Sequence, residues 1–264
     1  MDQFRIAIDD KVARLTLTRP EKHNAFDDRL IAGLTEAFRR LDVDPTVRIV
    51  ALAAEGPSFS AGGDLEWMKR AAAGSRDNNI ADALKLAGLM KTLDELSKPT
   101  IAAVQGSAYG GGVGLIACCD IAVAATGAKF ALSEVKLGLI PSAIGPYVIG
   151  AIGARQARRY FQTAEAFDAR TAAAIGLVHE VVEPDRLEAR LGEIIEALLK
   201  AAPGACTEAK RLVAEVANRP IDAAMTEMTA VRIADIRSRA EAREGLDAFF
   251  GRRPARWAGK DAQR

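Results

Sequence analysis

The sequence predicts an α/β core followed by a helical C-terminal region. Short apolar runs of strand length alternate with helical patterns over most of the chain, as is typical of parallel strands joined by helical crossovers. From residue 185 to residue 250 the pattern is helical throughout, with Pro203 and Pro220 at the expected helix starts. We therefore expect an α/β core over residues 1–200 and a helical region over residues 201–264.

Length, composition and charge limit the possible functions. The chain has 264 residues, of which 49% are hydrophobic and 27% charged, enough for a full core. A net charge of +1 gives no general attraction to nucleic acids or acidic membranes. The three cysteines follow no disulfide or CxxC spacing, and neither a signal peptide nor a membrane span is visible. We expect a cytoplasmic protein with no nucleic-acid or membrane partner.

Local patterns predict the individual elements. The predicted strands are Phe4–Ile8 and Val12–Thr18, which form a hairpin, followed by Val47–Ala53, Thr100–Val104, Ile121–Ala125, Phe130–Leu132 and the run Leu177–Val182. Helices are predicted from Asp27 or Asp28 to Leu41, from Asp64, over 80–96, over 112–118, from Pro141, over 155–162 and over 169–175. Residues 71–79 are small and polar, and we expect a mobile segment there.

Two glycine-rich turns stand between predicted strands and helices. Ser60–Asp64 follows the strand Val47–Ala53, and Gly110–Gly112 follows the strand Thr100–Val104. The first N–H groups of a helix are unpaired and lie at the positive end of its dipole. Two such turns on neighbouring strands can therefore bind an oxyanion between two N–H donors. The alternative is that both turns are only tight connections.

Other common site motifs are missing from the sequence. The glycines match neither G-x-G-x-x-G nor the phosphate-binding G-x-x-x-x-G-K-[ST]. No G-x-S-x-G motif accompanies His23 or His179, and no cluster of metal ligands is evident. Dinucleotide binding, serine nucleophile chemistry and metal chemistry therefore have no support.

Glu134 is the remaining chemical candidate. A carboxylate among apolar neighbours has a raised pKa, which suits proton transfer near neutral pH. The alternatives are an ion pair with Lys136 or a solvated turn residue, with Ser133 capping the turn.

Six segments spread over most of the chain resemble one known family. They are RPEKHNAF (19–26), FSAGGDLEWM (59–68), VQGSAYGGGVGLIACCDIAVA (104–124), LSEVKLGLIPSAIG (132–145), A-x-x-x-G-L-V (172–178) and EGLDAFFGRR (244–253). As a set they resemble the enoyl-CoA hydratase/isomerase (crotonase) family. Within it, GLIACCDIA and SEVKLGLIP are similar to bacterial hydratases of the methylglutaconyl-CoA type.

The resemblance implies a fold, an assembly and a substrate class. The expected fold is a crotonase-like spiral core of ββα turns with a C-terminal helical trimerisation region. The expected assembly is a homotrimer or a dimer of trimers, which is a hexamer. The expected substrate is a coenzyme A thioester, with no further cofactor and no metal.

The resemblance also implies catalytic residues. The two oxyanion N–H donors match Gly63 and Gly111, and one of the two glutamates of the family's hydratases matches Glu134. The position of the second glutamate is Gly114, which has no side chain. Ser142 is expected to line the acyl pocket and hold a water molecule, or alternatively to cap a helix. Ile144 also replaces a small residue of the family, so the acyl pocket is expected to have a different shape.

Coenzyme A contacts follow from the same match. The positions that match the family's coenzyme-binding residues are Lys22, Ala61, Asp64, Leu65, Phe249 and Arg252. Phe249 and Arg252 match positions that a neighbouring subunit contributes, and the basic tail with Lys260 and Arg264 adds positive charge. The alternatives are a solvated Lys22, a solvated tail, and a helix N-cap for Asp64.

The leading functional prediction is an enzyme of the lyase class, an enoyl-CoA hydratase. It adds water reversibly to the 2,3-double bond of a short or branched enoyl-CoA through an oxyanion-stabilised enolate. The first alternative is a Δ3,Δ2-enoyl-CoA isomerase that uses Glu134 as its single base. An alternative of another class is an acyl-CoA-binding or RNA-associated protein with little turnover.

Overall fold

The chain forms two compact units, the first of strands and helices and the second of helices. The computed structural model describes residues 3–258. One unit comprises the residues up to Leu96 together with Thr100–Gly192, and the other comprises Ser97–Pro99 together with the residues from Glu193 onward. The division falls within the helix Leu187–Lys200.

All strands within residues 3–258 belong to the first unit. They are β1 (Phe4–Asp9), β2 (Val12–Leu17), β3 (Ile49–Ala54), β4 (Ser58–Ser60), β5 (Thr100–Val104), β6 (Ser107–Tyr109), β7 (Ile121–Ala125), β8 (Lys129–Ala131), β9 (Phe167–Asp168) and β10 (Glu180–Val182). Six of them form a sheet in the order β1-β2-β3-β5-β7-β10, and four form a second sheet in the order β4-β6-β8-β9. Only the pairs β1–β2 and β8–β9 are antiparallel.

The helices follow the strands in chain order. They are α1 (Asp28–Val43), α2 (Leu65–Ala73), α3 (Arg76–Asp94), α4 (Gly111–Ala117), α5 (Gly145–Thr163), α6 (Ala169–Ala174), α7 (Leu187–Lys200), α8 (Pro203–Val216), α9 (Ala223–Ser238) and α10 (Ala240–Phe250). Asp27 caps α1 by accepting a hydrogen bond of 2.9 Å from the N–H of Leu30. Leu34 and Phe38 on the apolar face of α1 are fully buried, as their spacing predicts.

The spiral arises because successive strand pairs divide between the two sheets. In β3–β4, β5–β6 and β7–β8, the first strand joins the six-stranded sheet and the second joins the four-stranded sheet. Each pair is followed by a helix, so the chain winds through three successive ββα turns. The predicted crotonase-like α/β fold is confirmed.

Residues 71–79, expected to be a mobile segment, are instead mostly helical. Helix α2 continues to Ala73, and α3 already begins at Arg76. Ser75 caps α3 by accepting a hydrogen bond of 3.2 Å from the N–H of Asn78. Apolar periodicity begins only at Ile80, so the pattern alone placed the start of this helix too late.

The helix expected from Pro141 also begins later than predicted. Helix α5 starts at Gly145, and Pro146 occupies its first turn. Gly153 has a φ of 75° and bends α5, so the separately predicted helix 155–162 is its second half.

The second unit is built from helices, as the sequence predicts. Glu241 holds the start of α8, because its carboxylate accepts hydrogen bonds of 2.9 Å from the N–H groups of Gly204 and Ala205. No helix in residues 3–258 is long and apolar enough to cross a membrane. Trimerisation through this unit stays a prediction.

Candidate active site

Two short strands of the second sheet carry the glycine turns. Strands β4 and β6 pair in parallel, with Ser58 opposite Ser107 and Ser60 opposite Ala108. Both turns start where these strands end, so they are neighbours. The turns follow β3 and β5 in the chain, as predicted, and a three-residue strand that was not predicted lies between strand and turn in each case.

The two turns are in contact at Gly62. This residue has a φ of +84°, a conformation that favours glycine. A Cβ atom there would lie 2.9 Å from the carbonyl oxygen of Tyr109 and 3.6 Å from the backbone nitrogen of Gly111. Glycine at this position therefore permits the close approach of the two turns.

The N–H groups of Gly63 and Gly111 are left unused by the fold. Phe26 pairs with the backbone on either side of Gly63: its N–H donates to the carbonyl of Gly62 at 2.6 Å, and its carbonyl accepts from the N–H of Asp64 at 2.8 Å. Gly111 opens α4, where N–H groups lack an acceptor within the helix. Neither glycine N–H donates a hydrogen bond within residues 3–258.

Glu134 lies beside the second turn. It begins a 3₁₀ helix, Glu134–Leu137, after β8, and a Cβ atom on Gly110 would lie 2.9 Å from its Oε1. Its Oε2 is buried and has no hydrogen-bond partner, and loss of solvent raises the pKa of this carboxyl. The alternative ion pair with Lys136 is not formed, and Ser133 makes no side-chain cap.

The space beside Gly114 is filled by Ile144. A Cβ atom on Gly114 would lie 2.8 Å from the Cβ of Ile144 and 3.2 Å from the Sδ of Met90. Ile144 is only 2% exposed. The two departures from the family pattern, at Gly114 and Ile144, are therefore linked, because the side chain of Ile144 fills the space that a carboxylate at position 114 would need.

A cavity of about 450 Å³ brings part of the predicted site together. It is lined by the predicted residues Gly63, Gly111, Glu134 and Ser142. Ser142 is exposed and does not cap α5, whose N-cap position is Ile144. Most of the remaining wall is apolar and includes Phe26, Met68, Leu86, Ile140, Pro141 and Ile144.

Three polar or amphipathic residues of the wall were missed in the sequence. Trp67 comes from α2, while Asn79 and Asp82 come from α3. The late start predicted for α3 hid Asn79, and only the packing of α3 against α2 shows that Asp82 lines the cavity. Glu66, the residue before Trp67, forms an ion pair of 3.0 Å with Lys69, and neither residue lines the cavity.

The predicted coenzyme-binding residues lie outside this cavity wall. Lys22, Ala61 and Leu65 are exposed, whereas Asp64 is buried. Asp64 caps α2 by accepting hydrogen bonds of 2.9 and 3.3 Å from the N–H groups of Glu66 and Trp67. The helix-cap interpretation of Asp64 therefore agrees with the structure, and contact of these four residues with coenzyme A stays a prediction.

The C-terminal coenzyme residues belong to the second unit. Phe249 is 76% exposed and Arg252 is also exposed. Their role at a neighbouring subunit stays a prediction, and Lys260 and Arg264 lie outside the described residues. Among residues 3–258, no three His, Cys, Asp or Glu side chains form a group that could hold a metal ion.

Two unused N–H donors next to a desolvated carboxylic acid define a site suited to enolate chemistry at a carbonyl. The chain belongs to the enoyl-CoA hydratase/isomerase family, whose sequence profile matches residues 7–260. The family resemblance found in the sequence is confirmed. The narrower similarity to methylglutaconyl-CoA hydratases stays a prediction.

Individual relatives support the family assignment. The chain is 31% identical over 254 residues to the crotonyl-CoA hydratase of Syntrophomonas wolfei, covering 96% of each protein. It is 34% identical over 194 residues to a 4-chlorobenzoyl coenzyme A dehalogenase of Arthrobacter, covering 73% of this chain and 70% of that one. The crystal structure of an enoyl-CoA hydratase from Shewanella pealeana has a TM-score of 0.94 and 43% identity, covering 97% of this chain and 96% of that chain. The prediction of an enzyme of the lyase class is confirmed.

Proposed function

We propose that the protein is an enoyl-CoA hydratase acting on a short or branched enoyl-CoA. The observation that carries this proposal is one cavity that holds two unused N–H donors, at Gly63 and Gly111, and the partnerless Oε2 of Glu134. The crotonyl-CoA hydratase of Syntrophomonas wolfei, which matches over nearly its full length, supports the same reaction.

The proposed reaction uses one carboxylate for both proton transfers. Glu134 takes a proton from water while the water oxygen forms a bond to C3. The electrons of the 2,3-double bond shift toward the thioester carbonyl, whose developing negative charge accepts hydrogen bonds from Gly63 and Gly111. The protonated Glu134 then delivers the proton to C2, which restores the carbonyl and yields the 3-hydroxyacyl-CoA.

The surroundings of Glu134 favour this shuttle. Desolvation raises the pKa of its carboxyl, so the group is a stronger base than an exposed glutamate and can also act as the acid. One N–H donor to an oxyanion is typically worth about 3–4 kcal/mol, or roughly 10²–10³ in rate. Ser142, which also lines the cavity, is proposed to hold the attacking water.

Coenzyme A is proposed to bind as part of the substrate, without a further cofactor. Its adenine and pantetheine lie against Ala61, Asp64 and Leu65, and Lys22 approaches the phosphates. In a homotrimer or a dimer of trimers, a neighbouring copy adds Phe249 and Arg252. The proposal for these residues rests on the family pattern alone.

An isomerase is the second candidate, and the contact between Gly114 and Ile144 favours it. Because Ile144 occupies the space of the second carboxylate, Glu134 is the one of the family's two glutamate positions that can move a proton. A Δ3,Δ2-enoyl-CoA isomerase needs one base that transfers a proton from C2 to C4, and no water.

One panel of substrates distinguishes the candidates. Crotonyl-CoA, a 3-enoyl-CoA and 3-methylglutaconyl-CoA are incubated with the wild type and with Glu134→Gln, and the products are separated. Hydration that depends on Glu134 supports the hydratase. Rapid double-bond migration without hydration would establish the isomerase instead, and tight binding without conversion would indicate an acyl-CoA-binding protein.

A further inference from the structure

Phe26 adjoins both glycine turns, and the proposed reaction assigns it no role. Its backbone pairs with the residues on either side of Gly63: its N–H donates to the carbonyl of Gly62 at 2.6 Å, and its carbonyl accepts from the N–H of Asp64 at 2.8 Å. Phe26 is only 1% exposed, and it lines the cavity. Its main chain therefore holds the first turn from both sides of one of the two unused N–H donors.

The ring of Phe26 lies against the second turn. A Cβ atom on Gly111 would lie 2.6 Å from Cε2 and 2.9 Å from Cδ2 of this ring, which is closer than two carbon atoms can pack. Glycine at position 111 therefore permits the edge of the ring to lie against the backbone of the second turn. Phe26 thus connects the two donors, with its main chain beside Gly63 and its ring beside Gly111.

The segment that carries Phe26 is itself fixed to strand β4. Asn24 is fully buried, and its side-chain amide donates hydrogen bonds of 2.9 Å to the carbonyls of Glu55 and Ser58. The carbonyl of Asn24 accepts a hydrogen bond of 2.9 Å from the hydroxyl of Ser60, the last residue of β4. Phe26 therefore stands on a segment whose position relative to β4 and the first turn is set by buried hydrogen bonds.

The separation of the two donors matters for enolate chemistry. Donors to a developing oxyanion act at about 2.7–3.1 Å from the charged oxygen, and a misplacement of about 1 Å can cost roughly 10² in rate. Glycines have no side chain that could hold the turns in place by packing, so the position of each N–H depends on neighbouring residues. The contact at Gly62 joins the turns directly, and Phe26 adds a second connection between them.

We propose that Phe26 is a positioning residue that sets the separation of the N–H donors of Gly63 and Gly111, and thereby the polarisation of the thioester carbonyl. This inference rests on the proposed function, because it takes the two donors to bind that carbonyl. Phe26 acts through the two turns and moves no proton itself. Loss of its ring is therefore expected to weaken activation of the carbonyl more than it weakens binding of the acyl-CoA.

The carbonyl stretching frequency of a bound thioester tests this inference directly. Butyryl-CoA has no double bond to hydrate, and infrared difference spectra between its ¹²C=O and ¹³C=O forms separate its carbonyl band from the bands of the protein. Hydrogen bonds from the two glycines should lower this frequency in the wild-type complex relative to free butyryl-CoA. Phe26→Leu keeps an apolar side chain but removes the ring edge from Gly111, and its band should shift back toward the frequency of the free thioester.

Kinetics and a matched control separate positioning from a loss of stability. Phe26→Leu should lower kcat with crotonyl-CoA by about 10–10², while the dissociation constant of butyryl-CoA, measured by calorimetry, should change by less than about threefold. Phe38→Leu is the control, because it makes the same change at a fully buried phenylalanine of α1 that does not line the cavity. It should leave both the carbonyl frequency and kcat unchanged.

The outcomes separate this inference from the proposed function. A Phe26→Leu complex with the wild-type carbonyl frequency, an unchanged kcat, or an equal loss of kcat in Phe38→Leu would overturn the inference and leave the proposed function intact. Failure of the wild type to bind butyryl-CoA, or a bound carbonyl at the frequency of the free thioester, would overturn the proposed function and the inference with it.

A second variant decides the question if Phe26→Leu does not fold. Gly111→Ala keeps the backbone N–H but places a methyl group against the ring of Phe26, so the ring and the turn are forced apart. The carbonyl band of bound butyryl-CoA should again shift toward the frequency of the free thioester. A band at the wild-type frequency would overturn the inference.

Discussion

Gly114→Glu and Ile144→Gly should destabilise the protein less together than the sum of their separate effects. In the single variant Gly114→Glu, the new Cβ lies 2.8 Å from the Cβ of Ile144, which is closer than two carbon atoms can pack. Overpacking of this kind costs about 1–3 kcal/mol, and burial of the carboxyl adds to it. Alanine at position 144 would keep the clashing Cβ, so glycine is the required partner change.

The single variant Ile144→Gly should be destabilised for the opposite reason, because it leaves a void where Gly114→Glu overfills the same space. Ile144 is 2% exposed, and removing a buried aliphatic side chain costs about 2–5 kcal/mol. In the double variant the glutamate stem enters the space that Ile144 leaves, so each change relieves the other. Contacting residues couple by about 0.5–3 kcal/mol, and we expect at least about 1 kcal/mol here.

The measurement is a double-mutant cycle. Free energies of unfolding are determined by urea denaturation for the wild type, both single variants and the double variant at one protein concentration. The rate of crotonyl-CoA hydration is measured for the same four proteins, and we expect the double variant to hydrate crotonyl-CoA faster than Ile144→Gly does. Strictly additive free energies would show that Gly114 and Ile144 do not exclude each other, and the explanation for the missing carboxylate would be wrong.

Three further predictions concern the glutamate and the first glycine turn. Glu134→Gln should lower kcat by about 10²–10⁴ with little change in the dissociation constant of an acyl-CoA analogue, measured by steady-state kinetics and calorimetry. Burial raises the pKa of Glu134 above its unfolded value, so the folded state binds more protons between the two values. The stabilisation that Glu134 contributes is therefore fully present at pH below the pKa of the unfolded state, and it is lost as the pH rises through the higher pKa of the folded state. As the pH rises through this interval, the free energy of unfolding of Glu134→Gln, measured by urea denaturation, should therefore increase relative to that of the wild type. If the difference between the two proteins did not change with pH, desolvation of Glu134 would be contradicted. Gly62→Ala should destabilise by about 1–3 kcal/mol because of its positive φ and the nearby Tyr109 carbonyl, whereas Gly150→Ala, a matched change in open helical space, should not.

Elements with strong local signals could be predicted from the sequence. The hairpin of β1 and β2 alternates apolar and polar residues, and Asp27 marks the start of α1 by its capping preference. Strands β4 and β6 escaped prediction because each is short and consists mainly of serine and other small residues, so neither forms an apolar run. Their pairing is decided by contacts between distant segments rather than by their own residues.

The residues of the candidate site also differ in how strongly the sequence marks them. Gly63, Gly111 and Glu134 stand in glycine turns and motifs that are visible in the sequence, and they line one cavity. Trp67 stands in the quoted segment 59–68 but has no role assigned to it there, and Asp82 lies outside the quoted segments, so neither residue was identified as part of the site. Only the packing of α2 and α3 around the cavity distinguishes them.

Contacts between residues that are distant in the sequence also could not be predicted from it. Gly114 and Ile144 are visible there as two separate departures from the family pattern, thirty residues apart by their numbers. Their mutual exclusion depends on α4 packing against the start of α5. The consequence for chemistry, a site with one carboxylate from these positions, follows from that contact.

The central claim is that Glu134 adds water to an enoyl-CoA held by Gly63 and Gly111. Its most direct test is incubation of crotonyl-CoA in ¹⁸O-labelled water, with mass spectrometry of the product from the wild type and from Glu134→Gln. We expect the wild type to form 3-hydroxybutyryl-CoA that carries one ¹⁸O atom at C3, and Glu134→Gln to form it at least about 10²-fold more slowly. Absence of the labelled product with the wild type, or an equal rate with Glu134→Gln, would contradict the claim.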